Sequence, residues 1–122
     1  TKSGIVVRDI KLFASKSTGA LEKDRDNYKS AFEAETLEYV YLKLFIDEPG
    51  SDMTVQVFIK VICLEDDSVF YDRYVLKKLH HDTIAFWKGV GYSKLGRWKK
   101  GLYQYFVRIG EGQKQEGTFT VY

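Results

Sequence analysis

The chain has 122 residues, enough for one domain with a core of its own and no need of covalent staples. Its net charge of +2 is too small to mark a nucleic-acid-binding protein by itself, and its single cysteine, Cys63, excludes an intrachain disulfide. No apolar run reaches the length of a membrane-spanning helix, and the wealth of Tyr, Phe, Val and Ile weights the chain towards β-structure.

Residues 5–13 predict a first strand, with apolar side chains on both faces (Val6, Ile10 and Leu12; Ile5, Val7 and Phe13). Residues 15–26 are polar, carry Gly19 and read as a mobile loop. A short second strand is expected within 28–34, anchored by Tyr28 and Phe32; the helical propensity of 32–39 is overruled by the β-type run that follows. Residues 37–47 form the clearest central strand, with Val40, Leu42, Leu44 and Ile46 on one face and Tyr39, Tyr41, Lys43 and Phe45 on the other. Pro49-Gly50 marks the strongest turn.

Residues 53–64 then alternate Val55, Val57, Ile59, Val61 and Cys63 against Thr54, Gln56, Phe58 and Lys60. Cys63 in this run reads as a small packed hydrophobe. Glu65-Asp66-Asp67 is a second turn, and 68–75 has strand character with Tyr and Val on both faces. Over 76–97 the pattern fails. This stretch is long for an irregular loop in a small domain, and loops of that size are often functional; a short strand over 82–87 fits within it. The tail is clearer. Gly101 opens a strand whose Tyr103, Tyr105, Val107 and Ile109 share a face, Gly110-Glu111-Gly112 reverses the chain, and Phe119 and Val121 share a face of the closing strand.

About seven strands separated by turn signals predict an all-β, immunoglobulin-like antiparallel β-sandwich. Tyr103, just after Gly101 at the start of the penultimate strand, stands where such sandwiches place a tyrosine corner, its hydroxyl bonded back to upstream backbone. Tyr103 and Phe119 are therefore assigned structural roles.

Chemistry is thinner. His80 and His81 are neighbours, expected on opposite faces of a strand, with no Cys or Asp pattern to complete a metal site. The acidic turn 65–67 lacks further calcium ligands. The glycines at 110, 112 and 117 precede a strand rather than the helix a phosphate loop requires. The chain is accordingly expected to be no enzyme and to need no metal or cofactor. Binding has more support. Between Lys77 and Lys100 seven basic residues stand against the single acid Asp82, a net +6 that the rest of the chain offsets to reach +2. Trp87, Tyr92 and Trp98 are interleaved there with Lys88, Lys94, Arg97, Lys99 and Lys100. Aromatic rings beside cations can stack on sugars, meet phosphates or anchor a protein. Equally, the two Trp rings can cap the open end of the sandwich, leaving the lysines as a solvated rim.

The sequence Trp87…Gly91-Tyr92…Gly96-Arg97-Trp98-Lys99-Lys100-Gly101-Leu102-Tyr103, followed by Gly112…Glu116-Gly117-Thr118-Phe119-Thr120-Val121, resembles a family of bacterial sandwich domains. In these, a Trp- and Gly-rich loop enters a Gly-x-Tyr strand and a turn leads to a Gly-x-Phe strand. The runs 7–13 and 39–44 are similar to the family's first and central strands. Such immunoglobulin-like domains are accessory modules attached to AAA-type ATPases and other multidomain bacterial proteins. Where the family often carries Pro before its Gly-x-Trp segment, this chain has Lys94-Leu95. The resemblance implies an interaction or scaffolding role and supplies no catalytic residues.

These readings converge on a single domain over 1–122, part of a longer bacterial protein, that contacts a protein partner or a neighbouring domain through a sheet face or the 87–100 segment. Candidate binding residues are Trp87, Tyr92, Arg97, Trp98, Lys99 and Lys100. The alternative is a carbohydrate-binding module of a secreted or surface protein using Trp87, Tyr92 and Trp98 as a sugar platform; an acidic polymer, nucleic acid included, ranks third. Cys63 and the family resemblance favour a cytoplasmic location over an oxidising one.

Overall fold

The strands with the cleanest two-residue period lie deepest in two facing sheets. The computed structural model describes residues 5–15, 28–91 and 96–122. Eight strands follow in the order β1 (Val7–Ser15), β2 (Ala31–Phe32), β3 (Tyr39–Ile46), β4 (Met53–Cys63), β5 (Ser68–Leu79), β6 (Ala85–Gly91), β7 (Gly101–Ile109) and β8 (Gln115–Val121). They form a three-stranded sheet, β1-β3-β6, and a five-stranded sheet, β2-β8-β7-β4-β5. In immunoglobulin lettering this is A-B-E facing A′-G-F-C-C′. The short β2 pairs with β8 in parallel, and all other pairs are antiparallel.

The core is the meeting of the alternating inner faces. Val40, Leu42, Leu44 and Ile46 of β3 face Val57, Ile59, Val61 and Cys63 of β4 together with Tyr103, Tyr105, Val107 and Ile109 of β7, all buried. Each such aliphatic side chain contributes about 1.5–3 kcal/mol through burial. Cys63 is buried among them as the small hydrophobe its position predicts. A second, separate aromatic cluster covers the outside of the three-stranded sheet. There Phe13 stacks on Tyr41 with centroids 5.3 Å apart, and Tyr28 packs edge-on against Phe45.

Several expected boundaries shift. The first strand begins at Val7 and takes in Ser15, the first residue of the loop expected over 15–26, and the rest of that stretch lies outside the described residues. The second strand is only two residues long; Phe32 anchors it in the core, whereas Tyr28 belongs to the outer cluster. Residues 34–36 form a turn, not a helix.

The larger correction concerns 76–97, expected to be mostly loop. Strand β5 continues to Leu79, and β6 occupies 85–91 rather than 82–87. Both are edge strands, so alternation does not track burial there. Lys77 shares a face with Val55, and Lys88 shares one with Leu42; both cations stand on core-facing sides at the open margin of the sandwich. Inward-pointing charge of this kind protects an edge strand. In addition, a bulge near Phe70 shifts the register of β5 against β4. Phe70 and Tyr71 both pack on the core, while Val69 passes to the outer side. That shift accounts for the mixed faces read from the sequence of 68–75.

Of the described glycines, Gly91 leaves the least room for a side chain. At its φ of 143° a Cβ would lie 2.1 Å from the carbonyl oxygen of Glu38. Gly50, at φ 84° in the β3–β4 turn, has open space around it. Urea unfolding should therefore separate the two positions. Gly91→Ala is expected to cost about 2–4 kcal/mol through strain and clash, and Gly50→Ala only about 1 kcal/mol through backbone strain.

Candidate functional site

The expected binding residues that the structure describes do not form one surface. Trp98 is in the core, 4% exposed, where its ring stacks on Phe70 at 4.4 Å and meets Tyr103 and Phe119 edge-on. Its indole N–H donates to the carbonyl oxygen of Glu38 at 2.9 Å. Tyr103 stacks on Phe119 and donates its hydroxyl proton to the carbonyl oxygen of Lys99 at 2.8 Å, the geometry of a tyrosine corner. Trp98 therefore cannot serve a sugar platform. Trp87 is half-buried on the outer side of β6, with the Lys43 ammonium 5.5 Å from its ring centroid. Tyr92 lies outside the described residues, as does Lys94.

The described cations of 77–100 are likewise spread over separate elements. Lys77 reaches over the ring of Phe86, and Arg97 and Lys100 are exposed near the start of β7. Lys99 donates to Asp66 at 2.9 Å. Asp66 also accepts the Ser68 hydroxyl and backbone N–H at 2.6 and 3.0 Å. These bonds, Ser68 first and then Lys99, hold the Asp66 carboxyl well below the usual carboxylate range. The acidic turn thus closes a hairpin and ties it to the segment ahead of β7. His80 and His81 depart from expectation too. They lie beyond the end of β5, and both imidazoles turn towards Asp52, with Nδ1 4.0 and 3.5 Å from its oxygens. No group of His, Cys, Asp and Glu among the described residues could hold a metal ion.

What the strands do bring together is on the other side of the molecule. Strand pairing sets three rows across the outer face of the five-stranded sheet: Gln104, Ile62 and Val69; Phe106, Lys60 and Asp72; Arg108, Phe58 and Tyr74. Leu64, just past β4, donates its N–H to the carbonyl oxygen of Leu102 and extends the face, and Leu76 continues it beside Gln56. Leu64, Val69, Tyr74, Leu76 and Leu102 are all exposed, up to 66% at Leu76. A shallow depression of about 280 Å³ lies among Phe58, Lys60, Ile62, Asp72, Phe106 and Arg108. Arg108 is held over the ring of Phe58 at 4.4 Å, and Lys114 over that of Phe106 at 4.8 Å. Phe58 in turn packs against Tyr74, centroids 5.6 Å apart. A connected apolar surface with aromatic walls and fixed cations is unusual on the exposed side of a sheet.

Sequence reasoning missed this face because its residues come from three strands and an adjoining turn. The available signal was Phe58, Ile62 and Phe106, bulky residues at positions alternating with the core.

Two measurements follow from these placements. With Trp87→Phe, the remaining emission from Trp98 should be blue-shifted and poorly quenched by acrylamide; red-shifted, readily quenched emission would contradict its burial. Asp66→Asn should destabilise the chain at neutral pH. Because the folded Asp66 pKa is depressed, the difference from wild type should persist above the ordinary Asp range and shrink as pH falls below about 4. Urea midpoints over an acid series check this.

The chain is similar in structure to an immunoglobulin-like protein from Pseudomonas aeruginosa, with a TM-score of 0.56, 12% sequence identity and coverage of 100% of this chain and 99% of that one. No family model and no curated protein matches the chain. At this identity the likeness is one of fold: an all-β, immunoglobulin-like sandwich.

Proposed function

We propose that this chain is a non-catalytic interaction module that docks a protein partner, or a neighbouring domain of a longer polypeptide, on the outer face of its five-stranded sheet. The observation that supports this reading is the concentration of Leu64, Val69, Tyr74, Leu76 and Leu102 on one face, around the aromatic depression at Phe58 and Phe106. Apolar residues exposed singly are ordinary, but a set gathered on one face is the mark of an interaction surface. A protein interface does, since its buried centre is apolar and aromatic with Arg among its anchors. Arg108 and Lys114 form no ion pair among the described residues, so an approaching acidic group would meet two cations beside the aromatic depression. The 87–100 segment plays no part in this reading, because Trp98 is spent on packing.

Site-specific photo-crosslinking in cells making the full protein tests this. A photoreactive phenylalanine analogue at Phe58 or Ile62, both on β4 and away from the sheet margin, should capture a discrete partner other than a second copy of this chain, and one at Lys11, on the outside of the three-stranded sheet, should not. Phe106→Arg should reduce the yield from position 58 by at least about tenfold. Capture from position 11 alone, or equal capture from both faces, would refute the assignment.

A further inference from the structure

Strand β5 runs for 12 residues along the margin of the five-stranded sheet and, among the described residues, pairs with β4 alone. Beyond the bulge it alternates without interruption. Asp72, Tyr74, Leu76 and Lys78 lie on the outer face, and Tyr71, Arg73, Val75, Lys77 and Leu79 on the inner. The outer series reads acid, aromatic, aliphatic, base. Run antiparallel to itself, it is complementary.

We propose that β5 is a self-pairing edge through which two copies of this chain join into one continuous sheet, about a twofold axis at Val75. A twofold perpendicular to the sheet keeps outer residues on the outer face and makes each contact occur twice. With Val75 opposite Val75, Asp72 falls opposite Lys78 of the second copy and Tyr74 opposite its Leu76. Other registers lose the match. Centring on Tyr74 puts Asp72 opposite Leu76, and centring on Leu76 puts Lys78 opposite Tyr74. The Val75 register also continues a pattern within the chain. Lys60 already stands beside Asp72, so Lys78 of the second copy completes an alternating row of charge across the seam. Phe58 already packs on Tyr74, so Leu76 of the second copy extends the apolar row. Tyr74 and Leu76, 55% and 66% exposed, are the residues this pairing covers.

On the inner face Tyr71 meets Leu79, and Arg73 meets Lys77. The last contact sets like charges opposite each other, but both heads are already drawn aside. The guanidinium of Arg73 lies over the ring of Tyr71 at 6.0 Å, and the ammonium of Lys77 over that of Phe86 at 5.8 Å, across the sandwich on β6. Inner-face cations of this sort reject most strands. In the self-paired register the outer face offsets this cost with two Asp72–Lys78 and two Tyr74–Leu76 contacts.

Charge exchange tests the register directly, by sedimentation velocity on the full chain over a range of concentrations. Wild type is expected to dimerise reversibly. Asp72→Lys and Lys78→Asp should each weaken the dimer by at least about tenfold, because each sets like charges opposite at two symmetric positions. An equimolar mixture of the two variants should recover association as a heterodimer, and so should the D72K/K78D double variant alone. Both positions are exposed, and unchanged thermal melts will show that each variant folds. Phe106→Arg, on the open face, should leave the dimer intact. A wild type that stays monomeric, single variants that dimerise like wild type, or a mixture that stays monomeric would each overturn the proposal. Loss of the dimer in Phe106→Arg with retention in Asp72→Lys would overturn it as well, by placing the contact on the face. Self-association is read without any partner, so this result and the crosslinking result are decided separately.

Discussion

The packing of Trp98 is the contact on which the arrangement of the two sheets rests. Its ring lies on Phe70 from the sheet margin and meets Tyr103 and Phe119 from β7 and β8, while its indole N–H holds the backbone of Glu38 just ahead of β3. One side chain thereby ties the five-stranded sheet to the three-stranded one. Antibody domains make the corresponding tie with a disulfide; here the only cysteine is an unpaired core residue. Truncation of so large a buried ring costs about 3–5 kcal/mol, a large share of the stability of a domain this size. Tyr103 fixes the same corner by bonding the carbonyl of Lys99, and Gly91 lets Glu38 come close enough to accept the indole proton.

This constraint decides which aromatic residues remain for function. The Trp-rich segment has the composition of a binding loop, and half of that impression comes from a residue the core consumes. The outer face of the five-stranded sheet has the opposite history. Phe58, Ile62 and Phe106 occupy strand positions that could have been polar without harm to the core, since Val57, Ile59, Val61 and Val107 already fill it. Apolar side chains kept where the fold does not need them are the physical basis for reading that face as an interface. Its flanking cations sharpen the picture, because Arg108 and Lys114 lie over aromatic rings of the face itself.

The fold was largely legible in the sequence, and the apolar outer face of the five-stranded sheet was not. Strands β3, β4, β7 and β8 are flanked on both sides by other strands or end in tight turns, so burial alternates strictly and the letters show it. Gly101-Leu102-Tyr103 announced the tyrosine corner by local spacing alone. At the margins the rule fails: Lys77 and Lys88 stand on inner faces because the sandwich is open there, and the bulge at Phe70 reverses the parity of β5. The histidine pair failed for a related reason, since a turn, unlike a strand, can aim both rings at Asp52. The apolar face was hidden for a different reason. Leu64 and Leu102 are far apart in sequence and become neighbours only through the register of β4 on β7, which no local pattern encodes.

Solvent paramagnetic attenuation of methyl and aromatic NMR signals tests the central claim most directly, because it reads the face residue by residue. In dilute isolated chain, Leu64, Leu102 and Phe58 should be strongly broadened by a soluble neutral probe while Leu42, Val107 and Phe119 stay sharp. Protection of the outer-face signals under those conditions would mean that the chain covers this face itself, and the surface would then have no partner to await.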